Sequence, residues 1–271
     1  MEFEKTDLID IAKRNGADLI GVAPIERFDG IIPEGHPNSI SPKAKSVIVL
    51  GFMIPRGALR GIEEGTAWQT LGCGDPVNSL ILVESTYNTV CWLEDHGWEA
   101  TPLYKHPLEL RSQGVRVDQD KPAPDVILNF EYAAYMAGLG VIGKGKFFLT
   151  PEYGPRQVFS IILTDALIEP DNICSEDFCT GCDECIKNCP SFAISTAEES
   201  FMPGRAYFKW NKLHTESCIV CQTGATENPY LKSAEPWRIG AACGRACVAS
   251  LDRRNKLIYK YANPFRKEEE R

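Results

Sequence analysis

Four cysteines, Cys179, Cys182, Cys185 and Cys189, followed by Pro190, are spaced C-x2-C-x2-C-x3-C-P. Nothing else in the chain limits its fold as strongly, because this spacing dictates what the segment wraps around. Three thiolates from one short loop reach three irons of a [4Fe–4S] cube. The fourth opens a helix pointing away, so it ligates another cube. The competing reading is a zinc centre, which takes four ligands and usually shows paired C-x2-C knuckles.

A second cube needs more cysteines downstream, and Cys218-x2-Cys221 and Cys243-x3-Cys247 supply them. By the two-cluster ferredoxin crossover, Cys247 completes the first cube with Cys179, Cys182 and Cys185. Cys189, Cys218, Cys221 and Cys243 then hold the second. Cys174 stands close to the loop and is an alternative ligand, while Cys73 and Cys91 read as buried, inert thiols. Of the 11 cysteines, nine lie from Cys174 onward. That crowding suits metal ligation in a reducing compartment better than disulfides. The N-terminus lacks a secretory layout and no run of 18 apolar residues occurs, so the expectation is a cytoplasmic protein without a membrane span. The net charge of −8 lowers the prior for nucleic acid, whose phosphates call for basic surface.

Residues 1–170 are organised differently. A helix is predicted after Thr6 or Asp7 and ends at Gly16. Strands are predicted at 18–24, 46–52 and 158–165, with a shorter one at 125–128, and helices at 77–96 and 130–137. The mixture implies an α+β fold, with a first domain over 1–170, a cysteine-rich domain over 171–250 and a frayed tail over 251–271. Two electron-carrying cubes alone need no such first domain, so it is where the electrons are used.

Residues 133–165 read AAYMAGLGVIGKGKFFLTPEYGPRQVFSIILTD. The glycines mimic a dinucleotide fingerprint, but they follow a predicted helix instead of a strand, which argues against that use. AGLGVIGK, LTPEYG and ILTD together resemble the core signature of epoxyqueuosine reductase and its relatives, the reductive dehalogenases among them. ADLIGVAPIERF at 17–28 and the strand at 43–52 extend the likeness over about residues 5–250. The resemblance implies a nitroreductase-like α/β/α module that binds cobalamin near Gly138, Leu139, Gly140, Gly143 and Lys144. It also implies a C-terminal ferredoxin-like module whose two [4Fe–4S] clusters reduce the cobalt. Expected partners are a small molecule or another corrinoid protein as substrate and an external low-potential electron donor. Two rival readings are a corrin-free electron-transfer protein and an epoxyqueuosine reductase acting on tRNA. Two departures from the pattern stand out: Gly240 and Val248 replace a cysteine and a proline of the second cluster motif, with Cys221 compensating. The tRNA-modifying members' C-terminal helical repeats are not seen either, so nucleic acid is not the expected partner.

The resemblance also implies a proton-donor Asp before the glycines, for which Asp125 is the candidate, although a polar strand cap is the plainer reading. His36, His106 and His214 are candidates to approach a cofactor, and His96 suits a helix end. Tyr132, Tyr135 and Tyr153 read as core.

Overall fold

The computed structural model describes residues 3–75, 80–105, 115–124, 126–231, 233–263 and 265. Along the chain run α1 (Lys5–Arg14), β1 (Leu19–Pro24), α2 (Pro37–Ile40), β2 (Ser46–Met53), α3 (Arg60–Glu64), α4 (Gln69–Gly74), α5 (Leu80–Asp95) and β3 (Ala100–Leu103). They are followed by α6 (Phe130–Met136), β4 (Val141–Ile142), β5 (Phe148–Leu149), β6 (Gln157–Thr164), α7 (Glu184–Lys187), β7 (Ile194–Phe201), β8 (Phe208–Leu213), α8 (Thr215–Ile219) and α9 (Ala242–Arg253).

The main sheet has the order β1-β2-β6-β3, and every neighbouring pair is antiparallel. β2 and β6 are buried along nearly their whole length. Their alternating side chains therefore feed two different cores. Ile48 and Leu50 join Leu8 and Ala12 of α1 and Leu82, Val90 and Leu93 of α5 on one face. Val47 and Val49 join Ala133, Ala134 and Ala137 on the other, where small residues let α6 lie close to the sheet. Helices thus cover both faces of an antiparallel sheet.

The predicted α1 starts earlier than expected, because Glu4 and Asp7 form a capping box. β3 carries Pro102 and was not anticipated; it is tolerated because β3 pairs with β6 alone, at the sheet edge. The strand expected at 125–128 is corrected. Asp125 lies outside the described residues, and Ile127 and Leu128 run as an irregular segment whose Ile127 N–H bonds to Glu34 O at 2.9 Å.

The composition break near residue 170 does not separate the packing. Phe147 and Leu149 belong to a third core shared with Phe178, Cys185, Cys189, Cys218 and Cys243. Phe208 and Trp210, from the β7–β8 hairpin, pack back into the α6 core. Asp171 pins the crossing: its carboxylate pairs with Lys5 at 2.7 Å and accepts from Val22 N at 2.9 Å. The expected frayed tail is also corrected over its described part. Leu257 is buried, Ile258 N–H bonds to Pro151 O at 2.8 Å, and the Arg56 guanidinium covers the Tyr261 and Phe265 rings. Apolar and aromatic residues in the tail find an open edge of the fold to cover. No helix among the described residues is long and apolar enough to cross a membrane.

Candidate functional site

The cysteine loop opens on a turn held by Asp177. Asp177 accepts from the N–H groups of Cys179 and Thr180, both at 3.0 Å, and these bonds, with one from the Thr180 side chain, hold its carboxyl below the usual range. α7 then carries Cys185 inward to face α9.

The thiols fall into two neighbourhoods. Burial pushes Cys247 well up, and the thiols of Cys185, Cys179 and Cys182 around it add to this. Cys185 is driven to about 12 by burial and by Cys179, Cys243 and Cys182. Cys218 is driven to about 11 by burial, against the opposing charge of Arg238, with Cys243, Cys221 and Cys189 beside it. Burial raises Cys189 too, but hydrogen bonds from Ile194, Ser191 and Ala193 outweigh it and leave this thiol below its ordinary value. Cys243 lies between the groups. Cys73, Cys91 and Cys174 are not among these neighbours; Cys73 is exposed and Cys91 half-buried, which corrects the reading of both as buried thiols. Among the described residues, no three His, Cys, Asp or Glu side chains converge where a single ion would sit. Ligation at the buried Cys185, Cys218 and Cys243, whose thiols burial pushes up, must displace their protons.

The glycine-rich segment serves this array. A Cβ on Gly143 would come within 2.9 Å of Cys179 Sγ, and one on Gly145 within 2.8 Å of Cys185 Sγ. Lys144 N–H points at Cys179 Sγ at 3.4 Å. Gly138 has φ +79°, and a Cβ there would meet Asn172 O at 2.2 Å; on Gly140 it would meet Leu149 O at 2.1 Å. The close approaches expected for a cofactor are taken up by the protein's own atoms.

None of Gly138, Leu139, Gly140, Gly143 and Lys144 lines the cavity that does open nearby. This cavity, of about 610 Å³, begins at Lys146. Its walls are the start of α6, residues 146–148, Gln157 and Phe159 of β6, and Asn228, Tyr230, Leu231 and residues 233–239. Aromatic rings dominate: Phe130 and Tyr230 stack at 4.4 Å, and the Tyr230 hydroxyl accepts from Phe159 N–H. Four ionisable groups stand among them. Lys146 pairs with Glu235 and lies 4.9 Å from the Trp210 ring centre. The buried Arg238 donates from Nη2 to Gly145 O and Lys146 O at 3.0 and 2.9 Å, and its guanidinium lies 4.4 Å from the Phe147 ring centre. Its Nη1 is buried without a hydrogen-bond partner. Glu131 is pushed up to about 7 by burial, only partly offset by Arg238. Arg238 therefore acts electrostatically on Glu131 in the cavity and on Cys185, Cys218 and Cys243 behind it. Cavity and thiols share a wall.

Glu131 makes stability depend on pH. Below about 4.5 the carboxyl is protonated in both the folded and the unfolded chain. As pH rises, the unfolded chain loses its proton first, and the folded one keeps it until about 7. Unfolding is thus favoured progressively across that window, by roughly 3 kcal/mol at most. The difference in urea midpoint between cofactor-free wild type and Glu131→Gln should change steadily between those pH values; a constant difference would show that Glu131 is not held neutral.

The other candidates are structural. His36 Nδ1 accepts from Asn38 N–H at the start of α2, and His96 Nδ1 bonds to Trp92 O at 2.7 Å. His214 opens α8 through its backbone. Tyr132 donates to Pro203 O, Tyr135 packs edge-on to Phe208 and Tyr153 leans on Tyr259. His106 and Asp125 lie outside the described residues. Sequence reasoning missed Glu131, Lys146, Tyr230 and Arg238. Only Glu131, a lone carboxylate in the apolar stretch FEYAAYM, left a local signal.

No family model matches the chain. An epoxyqueuosine reductase from Bacillus subtilis (strain 168) is 24% identical over 258 residues, which is 81% of this chain and 62% of that protein. A tetrachloroethene reductive dehalogenase from Dehalobacter restrictus is 29% identical over 118 residues, 42% of this chain and 20% of that one. This chain is a relative of both families. The fold is similar to that of a catabolic reductive dehalogenase, with a TM-score of 0.55 at 18% identity, over 89% of this chain and 30% of that one. These relatives are reductases, and the chain spans under two thirds of their length. The epoxyqueuosine reductases among them leave the expectation that nucleic acid is an unlikely partner without support.

Proposed function

We propose that the protein is an iron–sulfur reductase in which two [4Fe–4S] clusters feed a cobalamin held at the cavity beside Glu131 and Arg238, for reduction of a small molecule or another corrinoid centre. The shared wall carries this reading, because it sets a ligand cavity directly against both thiol groups. The residues fit the cofactors. Eight thiols in two neighbourhoods suit two cubes, with Cys179, Cys182, Cys185 and Cys247 for one and Cys189, Cys218, Cys221 and Cys243 for the other. The aromatic cavity and the orphaned Arg238 Nη1 suit a large, flat, polar-edged ligand. A reductive dehalogenase of this fold has been linked to B12-dependent dehalogenation. When bound, cobalamin supplies a metal centre that passes electrons to the substrate bond. The chain's own part is to exclude water with the Phe130 and Tyr230 stack, to hold charge with Arg238 and Lys146, and to keep a proton on the Glu131 carboxyl near neutral pH for delivery to the product.

Anaerobically purified protein mixed with hydroxocobalamin and desalted should retain the corrin absorbance. Complete loss at micromolar protein would leave the corrin-free electron-transfer reading in its place. The second reading is an epoxyqueuosine reductase acting on tRNA, favoured by the extent of the Bacillus match; one such reductase has been solved with an epoxyqueuosine-modified tRNA stem loop. It requires stem-loop binding that weakens steeply with salt, and an absence of binding at low salt removes it.

A further inference from the structure

A cluster thiolate that accepts a hydrogen bond holds added negative charge better, so the donors around the sulfurs help to set a cluster's reduction potential. Some donors here are backbone N–H groups, such as Lys144 to Cys179 Sγ at 3.4 Å and Ala193 to Cys189 Sγ at 3.2 Å. Side-chain hydroxyls add to them, with a close one in each thiol neighbourhood. Ser250 Oγ lies 3.3 Å from Cys182 Sγ, and Thr223 Oγ1 lies 3.1 Å from Cys221 Sγ. Ser191 Oγ is more distant, 3.7 Å from Cys189 Sγ. Ser250 follows Cys247 by three positions on α9, so both occupy one helix face, and Thr223 follows Cys221 by two.

Each close hydroxyl has a second donor behind it. Ser250 Oγ accepts from Arg254 Nε at 3.2 Å, and Arg254 Nη2 donates to Phe178 O at 2.7 Å, beside Cys179. Thr223 Oγ1 accepts from the N–H of Ala242, the first residue of α9, at 3.3 Å. Between a free thiol and a hydroxyl, either atom can donate. A metal-bound thiolate has no proton to give. A hydroxyl has one proton, and each of these oxygens already accepts from its other side. Once the cysteines are ligated, that proton is directed at the sulfur.

We infer that Thr223 and Ser250 are potential-setting residues: each hydroxyl donates to a thiolate of a different cluster, stabilises that cluster's reduced state and raises its reduction potential independently of the other. The inference rests on the proposed cluster content and ligand division. The hydroxyls exchange nothing with the clusters. Each proton stays on its oxygen, no metal–sulfur bond breaks, and only the stability of an electron delivered from outside changes. With one hydroxyl per cluster, the two steps of the relay are adjusted separately.

The test is a redox titration of cluster-loaded protein with dithionite as reductant, followed by electron paramagnetic resonance. Thr223→Val removes the hydroxyl and keeps the branched shape. It should make one cluster about tenfold harder to reduce at a fixed poise, which is about 59 mV for one electron. Ser250→Ala should do the same to the other cluster. Thr223→Ser keeps the donor and should stay at the wild-type potential. Iron and sulfide content should match wild type in all three variants. Unchanged potentials with both clusters intact would overturn the inference. So would an equal shift of both clusters in each variant, or a Thr223→Ser potential as low as that of Thr223→Val. Absence of clusters in the wild type would overturn the underlying function instead.

Discussion

Cys247→Ser should halve the iron and sulfide content, from about eight of each per chain to about four, with the remaining cube held by Cys189, Cys218, Cys221 and Cys243. The expectation comes from position. Cys247 sits on α9, far along the chain from Cys179, Cys182 and Cys185, yet those three thiols surround it. A serine there leaves the first cube one thiolate short while the second neighbourhood keeps its four. Iron analysis together with the reduced-cluster electron paramagnetic resonance spectrum reads the result. Full retention of both cubes, or loss of the one that includes Cys189, would contradict the crossover.

Gly138→Ala should be among the most destabilising small substitutions in the chain. The glycine ends α6 at φ +79°, a conformation that costs an L-residue about 1–2 kcal/mol. An alanine Cβ would also meet Asn172 O at 2.2 Å, and that carbonyl adjoins the Asp171 contact with α1 and β1. Neither backbone can move without disturbing the other, so overpacking adds about 1–3 kcal/mol. Gly65→Ala is the control: φ is +70°, but nothing lies within 4 Å of the added Cβ, so only the conformational part remains. Urea midpoints measured side by side should place Gly138→Ala well below Gly65→Ala. Equal shifts would mean that the close approach to Asn172 is relieved at little cost.

The cysteine run, the two buried strands β2 and β6, and α6 with its glycine stop were legible in the sequence, since each depends on spacing over a few residues. β3, the β7–β8 hairpin and the packed tail were not. β3 is short and holds a proline that only an edge position tolerates. β7 is largely solvent-facing and has no continuous apolar run. The tail is held by Arg56 and by the backbone at 151–152, partners invisible from its own composition. The glycine segment was recognised, but its task was read differently: Gly138 and Gly140 serve backbone packing, and Gly143 and Gly145 make room for cysteine sulfurs.

The sequence by itself set out the cysteine spacing and the likeness to the two reductase families, because spacing along a short loop is local geometry that survives without knowledge of the fold. Only the tertiary structure decided what stands beside those cysteines. Arg238 reaches the carbonyl of Gly145 across 93 positions of sequence, and Glu131 meets it from a third segment. A charge, a carboxyl and two thiol groups gathered from such distant stretches follow no periodicity along the chain, and it is packing across the residue-170 boundary that brings them to one wall.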